Sequence, residues 1–192
     1  EYQRGKPVKS AALTAEQQEA IRLLARQTLI KFRDSGGVSR HQCSQSEIQD
    51  IMSYTVGAFV SDDYVPLMLE ELSVTGEDLR QPKWSREEIA PNRSFKVLIV
   101  GAGMSGILAG YRLKQAGIDF EILEKNADVG GTWLENTYPG CRVDSANHVY
   151  SYSFAQRSDW PLHFSTQDVL LEYFHGCVEK FDLASSIRFQ TQ

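Results

Sequence analysis

The feature that most constrains the fold of this chain is a strand, a glycine turn, a helix and a second strand that ends on an acid. The apolar run 95–100 is followed at once by Gly-Ala-Gly-Met-Ser-Gly at 101–106. Apolar residues at helical spacing over 105–116 lead to a second apolar run, 119–124, whose last residue is Glu124. This order is typical of a βαβ unit that binds an adenine dinucleotide. We therefore predict an α/β fold containing a Rossmann-like unit.

Each residue type in this turn has a physical role in binding a diphosphate. Gly101 permits the tight turn, Gly103 lets a pyrophosphate approach the backbone, and Gly106 lets the helix pack against the strands. Ser105 adds a hydroxyl donor to helix N–H groups that favour anions. Glu124 is placed to accept hydrogen bonds from a ribose diol and would repel a 2′-phosphate, which favours FAD or NAD over NADP. The alternative is an α/β turn that binds no ligand.

A second glycine pair, Gly130-Gly131, lies shortly after Glu124. In flavoproteins with two dinucleotide-binding domains, a Gly-Gly pair in this place lets the chain pass close to the pyrophosphate. The pair therefore favours FAD over NAD. The alternative is an ordinary loop turn.

Composition excludes several classes of function. The net charge of -5 and the pI near 5.4 give no reason to expect nucleic acid or an anionic membrane as a partner. No apolar run approaches the roughly 20 residues of a membrane span. The three cysteines are widely spaced and the four histidines lack zinc-type spacing, so we expect reduced thiols, a cytoplasmic location and no metal site.

The pattern along the chain predicts two domains. Residues 1–90 indicate a small all-helical extension, and residues 91–192 indicate the N-terminal part of a FAD-binding, Rossmann-like domain. Within the extension, an amphipathic helix is predicted over 15–33, a second helix capped by Ser46, and a short third helix opened by Asp63.

The segment 126–164 has little periodicity but many aromatic residues, which argues for an ordered functional loop. Ser165 or Thr166 is predicted to cap a further helix, and 187–191 to begin another strand.

The segment that begins at the second glycine pair resembles the class B flavoprotein monooxygenases, and more narrowly the Baeyer–Villiger monooxygenases. The resemblance is carried by Gly-Thr-Trp at 131–133, by Asn-Thr-Tyr-Pro-Gly-Cys-Arg-Val-Asp at 136–144, and by Tyr-Ser-Tyr-Ser-Phe at 150–154. It covers 95–192. The extension at 1–90 more loosely resembles the one that precedes the FAD domain in 4-hydroxyacetophenone monooxygenase-like members.

The resemblance implies a definite activity. Such an enzyme binds FAD and NADPH, takes a small ketone and O2 as substrates, and inserts one oxygen atom next to the carbonyl to give an ester or lactone. Most of the NADPH site would lie outside this chain. Neither nucleic acid nor a membrane is implied. The apolar stripes of the N-terminal helices leave two alternatives: packing on the chain's own FAD domain, or a homodimer through these helices.

The resemblance also assigns residues. Asp144 matches the acid that lies near the flavin and a catalytic arginine, and Arg142 and Asp144 match positions that border the nicotinamide cofactor. The positions that match FAD contacts are Ser105, Glu124, Thr132, Trp133 and Tyr150. The alternatives are a turn cap for Asp144, a surface ion pair for Arg142 and core packing for the two aromatic residues. Leu134-Glu135 stands where many members carry a second aromatic residue.

The second glycine motif for NADPH, the family fingerprint and the later catalytic arginine are not found in these 192 residues. We therefore expect an N-terminal portion of a longer enzyme that is inactive alone. Two other hypotheses remain open: a non-catalytic dinucleotide-binding or oligomerisation module, and an N-hydroxylating flavin monooxygenase.

Overall fold

The protein is described here by a computed structural model that covers residues 14–37, 43–72 and 77–191. The chain divides into two compact units, Glu1–Glu71 and Leu72–Gln192.

The residues described in the first unit form helices, as predicted. Thr14 caps α1 and Ser44 caps α2, and both helices begin with a capping box, which satisfies backbone N–H groups that the first helical turn leaves without partners. A 3-10 turn precedes α3. The helical segments of this part are α1 (Ala15–Asp34), α2 (Gln45–Val56), the 3-10 turn (Asp62–Tyr64) and α3 (Val65–Leu72).

The second unit is the predicted α/β fold. Its strands and longer helices alternate along the chain, with short helical turns in the loops. The elements are α4 (Arg86–Ile89), β1 (Lys96–Val100), α5 (Met104–Gln115), β2 (Asp119–Leu123), α6 (Thr132–Glu135), a 3-10 turn (Ser153–Ala155), α7 (Gln167–Lys180), a 3-10 turn (Ala184–Ser186) and β3 (Ile187–Arg188).

The sheet is parallel, and its strand order is β1-β2-β3. Val97 pairs with Phe120 and Val100 with Leu123, so the carboxyl ends of β1 and β2 lie side by side. Parallel neighbours need a crossover, and α5 supplies it. The glycine turn after β1 and Glu124 after β2 therefore meet at one edge of the sheet.

The core of this unit lies between the sheet, α5 and α7. Its largest fully buried side chains include Ile107 on α5, Ile122 on β2, and Leu170 and Phe174 on α7. The apolar residues of the sheet and of the two helices fill one continuous cluster, so burial of this face is the main stabilising contribution.

The aromatic segment after α6 is ordered by a buried amide. The side chain of Asn147 is fully buried; its Nδ2 donates to the Leu162 carbonyl at 2.5 Å and to Ser165 Oγ at 2.7 Å. The backbone N–H of Ser165 donates to Asn147 Oδ1 at 2.9 Å. Buried amides need such partners, and these bonds join the interior of the segment to its C-terminal end.

Residues 77–90 contact the α/β elements. The guanidinium of Arg112 pairs with the carboxylate of Asp78, and the N–H of Arg86 donates to the Ala116 carbonyl at 2.8 Å. The contact pattern thus divides the chain between Glu71 and Leu72. The predicted domain boundary at residue 90 stays a prediction.

Candidate functional site

The glycine turn after β1 is built around two close backbone approaches. Gly101 has φ +93°, and its N–H donates to the Leu123 carbonyl at 2.8 Å, which fixes the turn to β2. A Cβ at Gly106 would lie 1.9 Å from the Gly101 carbonyl oxygen, so only glycine fits where α5 leaves the turn. Gly103 is the N-cap of α5 and has no side chain to occupy the N–H groups of the first turn. These amides face the place where the sequence predicts a diphosphate.

The second glycine pair packs directly on the first turn. The N–H of Gly130 donates to the Ala102 carbonyl at 3.0 Å. Gly131 has φ +53°, and a Cβ there would lie 3.0 Å from Gly103 Cα. Two loops that approach this closely leave backbone, and not side chains, on the surface of the site.

Glu124 lies beside the glycine turn, as its predicted role requires. Its side chain is buried, with 3% exposed. The N–H of Ala102 donates to Glu124 Oε2 at 2.6 Å, and the N–H of Asn126 donates to Glu124 Oε1 at 2.8 Å. Each oxygen keeps a second lone pair for a further donor.

Two neighbouring cavities lie at this edge of the sheet, and both are lined by Val100, Gly101, Gly103 and Gly131. The first, of about 330 Å³, is also lined by Met104, Ser105, Gly106, Gly130, Thr132, Trp133 and Tyr150. The second, of about 460 Å³, is also lined by Leu123, Glu124, Lys125, Asn126, Glu135 and Thr191. Val100 is 90% exposed, so the site is open on that side among the described residues.

Trp133 and Tyr150 form one wall of the smaller cavity. Trp133 Nε1 donates to the Tyr150 hydroxyl at 3.1 Å, and the two rings meet edge to face with centroids 5.7 Å apart. Trp133 is buried and belongs to the core cluster. Trp133 therefore packs in the core and also forms part of the cavity wall, so these two alternatives do not exclude each other.

Arg142 and Asp144 lie outside the residues that line these two cavities. They alternate with the buried Cys141 and Val143 in an extended segment, so both are exposed on its other face. The Ser145 hydroxyl donates to Asp144 Oδ1 at 3.3 Å. The predicted roles of Arg142 and Asp144 at the cofactors stay predictions.

Six residues that line the larger cavity were not among the predicted site residues, and three of them, Lys125, Asn126 and Glu135, form one hydrogen-bonded group. Glu135 Oε1 accepts hydrogen bonds from Lys125 Nζ at 2.8 Å and from Asn126 Nδ2 at 2.9 Å. The hydrogen bond to Glu135 raises the pKa of Lys125, and the same bond with that of Asn126 lowers the pKa of Glu135. The sequence signal that could have identified Glu135 is that Leu134-Glu135 stands where many members of the family carry a second aromatic residue.

Among the residues that the structure describes, no three His, Cys, Asp or Glu side chains come together in a way that could hold a metal ion. Cys43, Cys141 and Cys177 are free thiols. Within the same ranges, no helix combines the length and the apolar character that crossing a membrane requires.

The chemistry of the site is that of a dinucleotide cradle. The backbone N–H groups of two glycine loops suit a diphosphate, a buried carboxylate suits a ribose diol, and an aromatic wall stands beside them. Eight other predicted site residues lie with Glu124 in the two adjoining cavities: Gly101, Gly103, Ser105, Gly106, Gly131, Thr132, Trp133 and Tyr150.

Comparison with known proteins gives the same picture. Residues 99–160 match the family described as NAD(P)-binding Rossmann-like domain. "Uncharacterized monooxygenase y4iD" of Sinorhizobium fredii is 33% identical over 95% of this chain and 27% of that protein. "FAD-binding monooxygenase moxY" of Dothistroma septosporum is 44% identical over 53% of this chain and 16% of that protein. "Baeyer-Villiger monooxygenase" of Streptomyces coelicolor is 41% identical over 50% of this chain and 19% of that protein.

The chain thus spans between 16% and 27% of the length of these relatives. Its resemblance to Baeyer–Villiger and FAD-binding monooxygenases is confirmed for about half of its residues. The looser likeness of residues 1–90 to the extension of 4-hydroxyacetophenone monooxygenase-like proteins stays a prediction.

Proposed function

Since the chain is homologous to Baeyer–Villiger and FAD-binding monooxygenases, we propose that it forms the FAD-binding portion of such an enzyme. The whole enzyme uses FAD and NADPH and inserts one oxygen atom from O2 next to the carbonyl of a small ketone, giving an ester or lactone. The names of the relatives and the share of their length that this chain spans support the proposal.

The residues present fit FAD. Gly103 and Gly131 approach each other so closely that a side chain on Gly131 would meet the Gly103 backbone, which leaves main-chain N–H groups to face a diphosphate. The two adjoining cavities provide room on either side of these glycines, with Glu124 at one end and Trp133 and Tyr150 at the other. When bound, FAD supplies the redox chemistry that activates O2.

Each group of residues has its own task in this proposal. The first turn of α5, with the hydroxyl of Ser105, holds the diphosphate, and Glu124 accepts hydrogen bonds from the ribose diol of the adenosine. Thr132, Trp133 and Tyr150 bound the flavin end and exclude water from it. Asp144 orients a catalytic arginine from outside this chain, and Arg142 borders the nicotinamide cofactor.

The observation that carries the proposal is the contact between Glu124 and the glycine turn, because Oε2 lies 2.6 Å from the Ala102 nitrogen. This contact fixes the carboxylate beside the glycine turn, in the cavity that Gly101, Gly103 and Gly131 also line. The lone pairs that the bonds to Ala102 and Asn126 leave free are the acceptors that this proposal assigns to the ribose diol.

Titration of the purified chain with FAD, followed by flavin fluorescence, tests the proposal. We expect FAD to bind and Glu124→Gln to weaken binding about tenfold to a hundredfold, since a hydrogen bond to a charged group contributes about 1.5–3 kcal/mol. Glu172→Gln, on an exposed residue of α7, is the matched control and should leave affinity unchanged. Absence of FAD binding by a chain with native circular dichroism would contradict the proposal.

Activity belongs to the whole enzyme in this proposal. The chain alone is expected not to turn over, and steady NADPH oxidation coupled to ester formation by the chain would contradict this. A cytoplasmic location stays a prediction, supported by the three free cysteines.

A homodimer through the N-terminal helices also stays a prediction. Its support is that α1 has no buried residue and exposes Ile21, Leu24 and Leu29. This surface also favours the second candidate function, an oligomerisation module. Sedimentation of the chain with and without residues 1–71 tests both.

A further inference from the structure

A lysine lies at the end of the cavity where the ribose is proposed to bind. Lys125 follows Glu124 directly and lines the same cavity, together with Asn126 and Glu135. A lysine in this place could attract a phosphate on the ribose 2′-hydroxyl, as basic residues do in sites that accept NADP. Its charge therefore bears directly on which dinucleotide the site accepts.

The ammonium of Lys125 is already paired. Lys125 Nζ lies 2.8 Å from Glu135 Oε1, and the same oxygen accepts a hydrogen bond from Asn126 Nδ2 at 2.9 Å. The two side chains of the ion pair are about half exposed, 55% for Lys125 and 45% for Glu135, so neither is locked in the core. The pair can therefore respond to a ligand.

We infer that Glu135 is a specificity-determining residue, which holds Lys125 in an ion pair and so makes the ribose site reject a 2′-phosphate. This inference rests on the proposed function, because it assumes that the cavity holds the adenosine part of a dinucleotide.

The charges at this end of the cavity decide the outcome. With Glu135 present, two carboxylates and one ammonium line the cavity, and a 2′-phosphate would meet a net negative surface. Without the charge of Glu135, Glu124 and Lys125 balance each other, and the ammonium is free to pair with a phosphate. Rejection of the wrong ligand therefore needs Glu135 as well as Glu124.

The local fold explains why position 135 can do this. Glu135 is the last residue of α6, and its N–H donates to the Gly131 carbonyl at 3.0 Å. The short helix turns the side chain toward Lys125 and Asn126, which lie just beyond β2. An aromatic residue at this position could not pair with the lysine.

The test compares ADP-ribose with 2′-phospho-ADP-ribose, which differ only in the phosphate, by calorimetric titration of the whole chain. We expect the unaltered chain to prefer ADP-ribose. Glu135→Gln keeps the side-chain shape and an acceptor for Asn126 but removes the charge. It should raise the relative affinity for the 2′-phosphorylated ligand about threefold to fivefold, because solvent screens a partly exposed charge pair.

Two further variants identify the group responsible. Lys125→Met added to Glu135→Gln should remove the gain, and Glu172→Gln, which deletes an equal charge away from the cavity, should produce none. An unchanged affinity ratio in Glu135→Gln, or a gain that survives the loss of Lys125, would overturn the inference while the proposed function stands. If the unaltered chain bound none of the three ligands, ADP-ribose, 2′-phospho-ADP-ribose and FAD, the inference and the proposed function would both be overturned.

Discussion

Replacement of Gly106 by alanine should separate the packing requirement of the glycine turn from ordinary helix propensity. Gly106 lies in the first turn of α5, and a Cβ there would lie 1.9 Å from the carbonyl oxygen of Gly101. Real Cβ contacts are essentially never shorter than 3.0 Å, so the helix or the turn must move by at least about 1.1 Å. The obstructing atom is backbone, and it cannot rotate away.

The cost follows from what holds the turn in place. Gly101 is fixed to β2 by its bond to the Leu123 carbonyl, and Ile107, one residue after Gly106, is among the largest fully buried side chains. Forced overpacking of this kind costs about 3 kcal/mol. Alanine returns about 1 kcal/mol through its better helix propensity. We therefore expect a net loss of about 2 kcal/mol in the free energy of unfolding.

Two other helical glycines provide matched controls. A Cβ at Gly176, on α7, meets nothing within 4 Å, so Gly176→Ala should stabilise the protein by up to about 1 kcal/mol. A Cβ at Gly110 would lie 3.0 Å from Ile122 Cδ1 and Phe120 Cε2. These are ends of side chains that can shift, so Gly110→Ala should fall between the other two variants.

The assay is equilibrium unfolding in urea, followed by circular dichroism, with FAD titration of the same three variants. Because the displaced backbone belongs to the proposed diphosphate site, Gly106→Ala should also lose FAD affinity, whereas Gly176→Ala should not. The reasoning would be refuted if Gly106→Ala were as stable as Gly176→Ala and still bound FAD.

Two further predictions concern a buried and a partly buried polar group of the second unit. Asn147→Ala removes the bonds to Leu162 and Ser165 and should lower the free energy of unfolding by about 2–4 kcal/mol, measured by urea unfolding; a loss below about 0.5 kcal/mol would contradict the role of the amide. Burial opposes ionisation of Asp78, but hydrogen bonds from Arg112 and Gln115 outweigh it and hold the pKa of this carboxyl below its usual value. The pair therefore stabilises the fold above the unfolded pKa, near 4, and this contribution is lost as the pH falls through the lower folded pKa. The difference in free energy of unfolding between the protein and Asp78→Asn should shrink between pH 6 and about pH 2. A difference that stays constant over this range would contradict the prediction.

The regular elements were predicted well because local signals determine them. The predicted helix over 15–33 is observed as α1, and the two apolar runs form β1 and β2 within one residue of the predicted bounds. The cap of α2 was predicted two residues too late, at Ser46. Ser44 caps the helix instead, because its hydroxyl and its N–H both reach Glu47.

The long aromatic segment could not be predicted in the same way. Its order depends on Asn147 and on bonds to residues 15 and 18 positions away along the chain. Sequence periodicity cannot predict such contacts, because each is a single hydrogen bond between residues that belong to no repeating pattern. The short α6 was missed for the same reason, although it places both Trp133 and Glu135 at the cavities.

By itself, the sequence determined the βαβ unit, the glycine turn and the acid that follows the second strand, because spacing alone fixes which residues end neighbouring parallel strands. Only the tertiary structure decided which side chains share the cavities. It brought Lys125 and Glu135 together beside Glu124 and left Arg142 and Asp144 on an exposed face. The physical reason is that backbone periodicity sets the strands and helices, whereas the charge and shape of a site depend on loops whose positions are fixed by packing between distant segments.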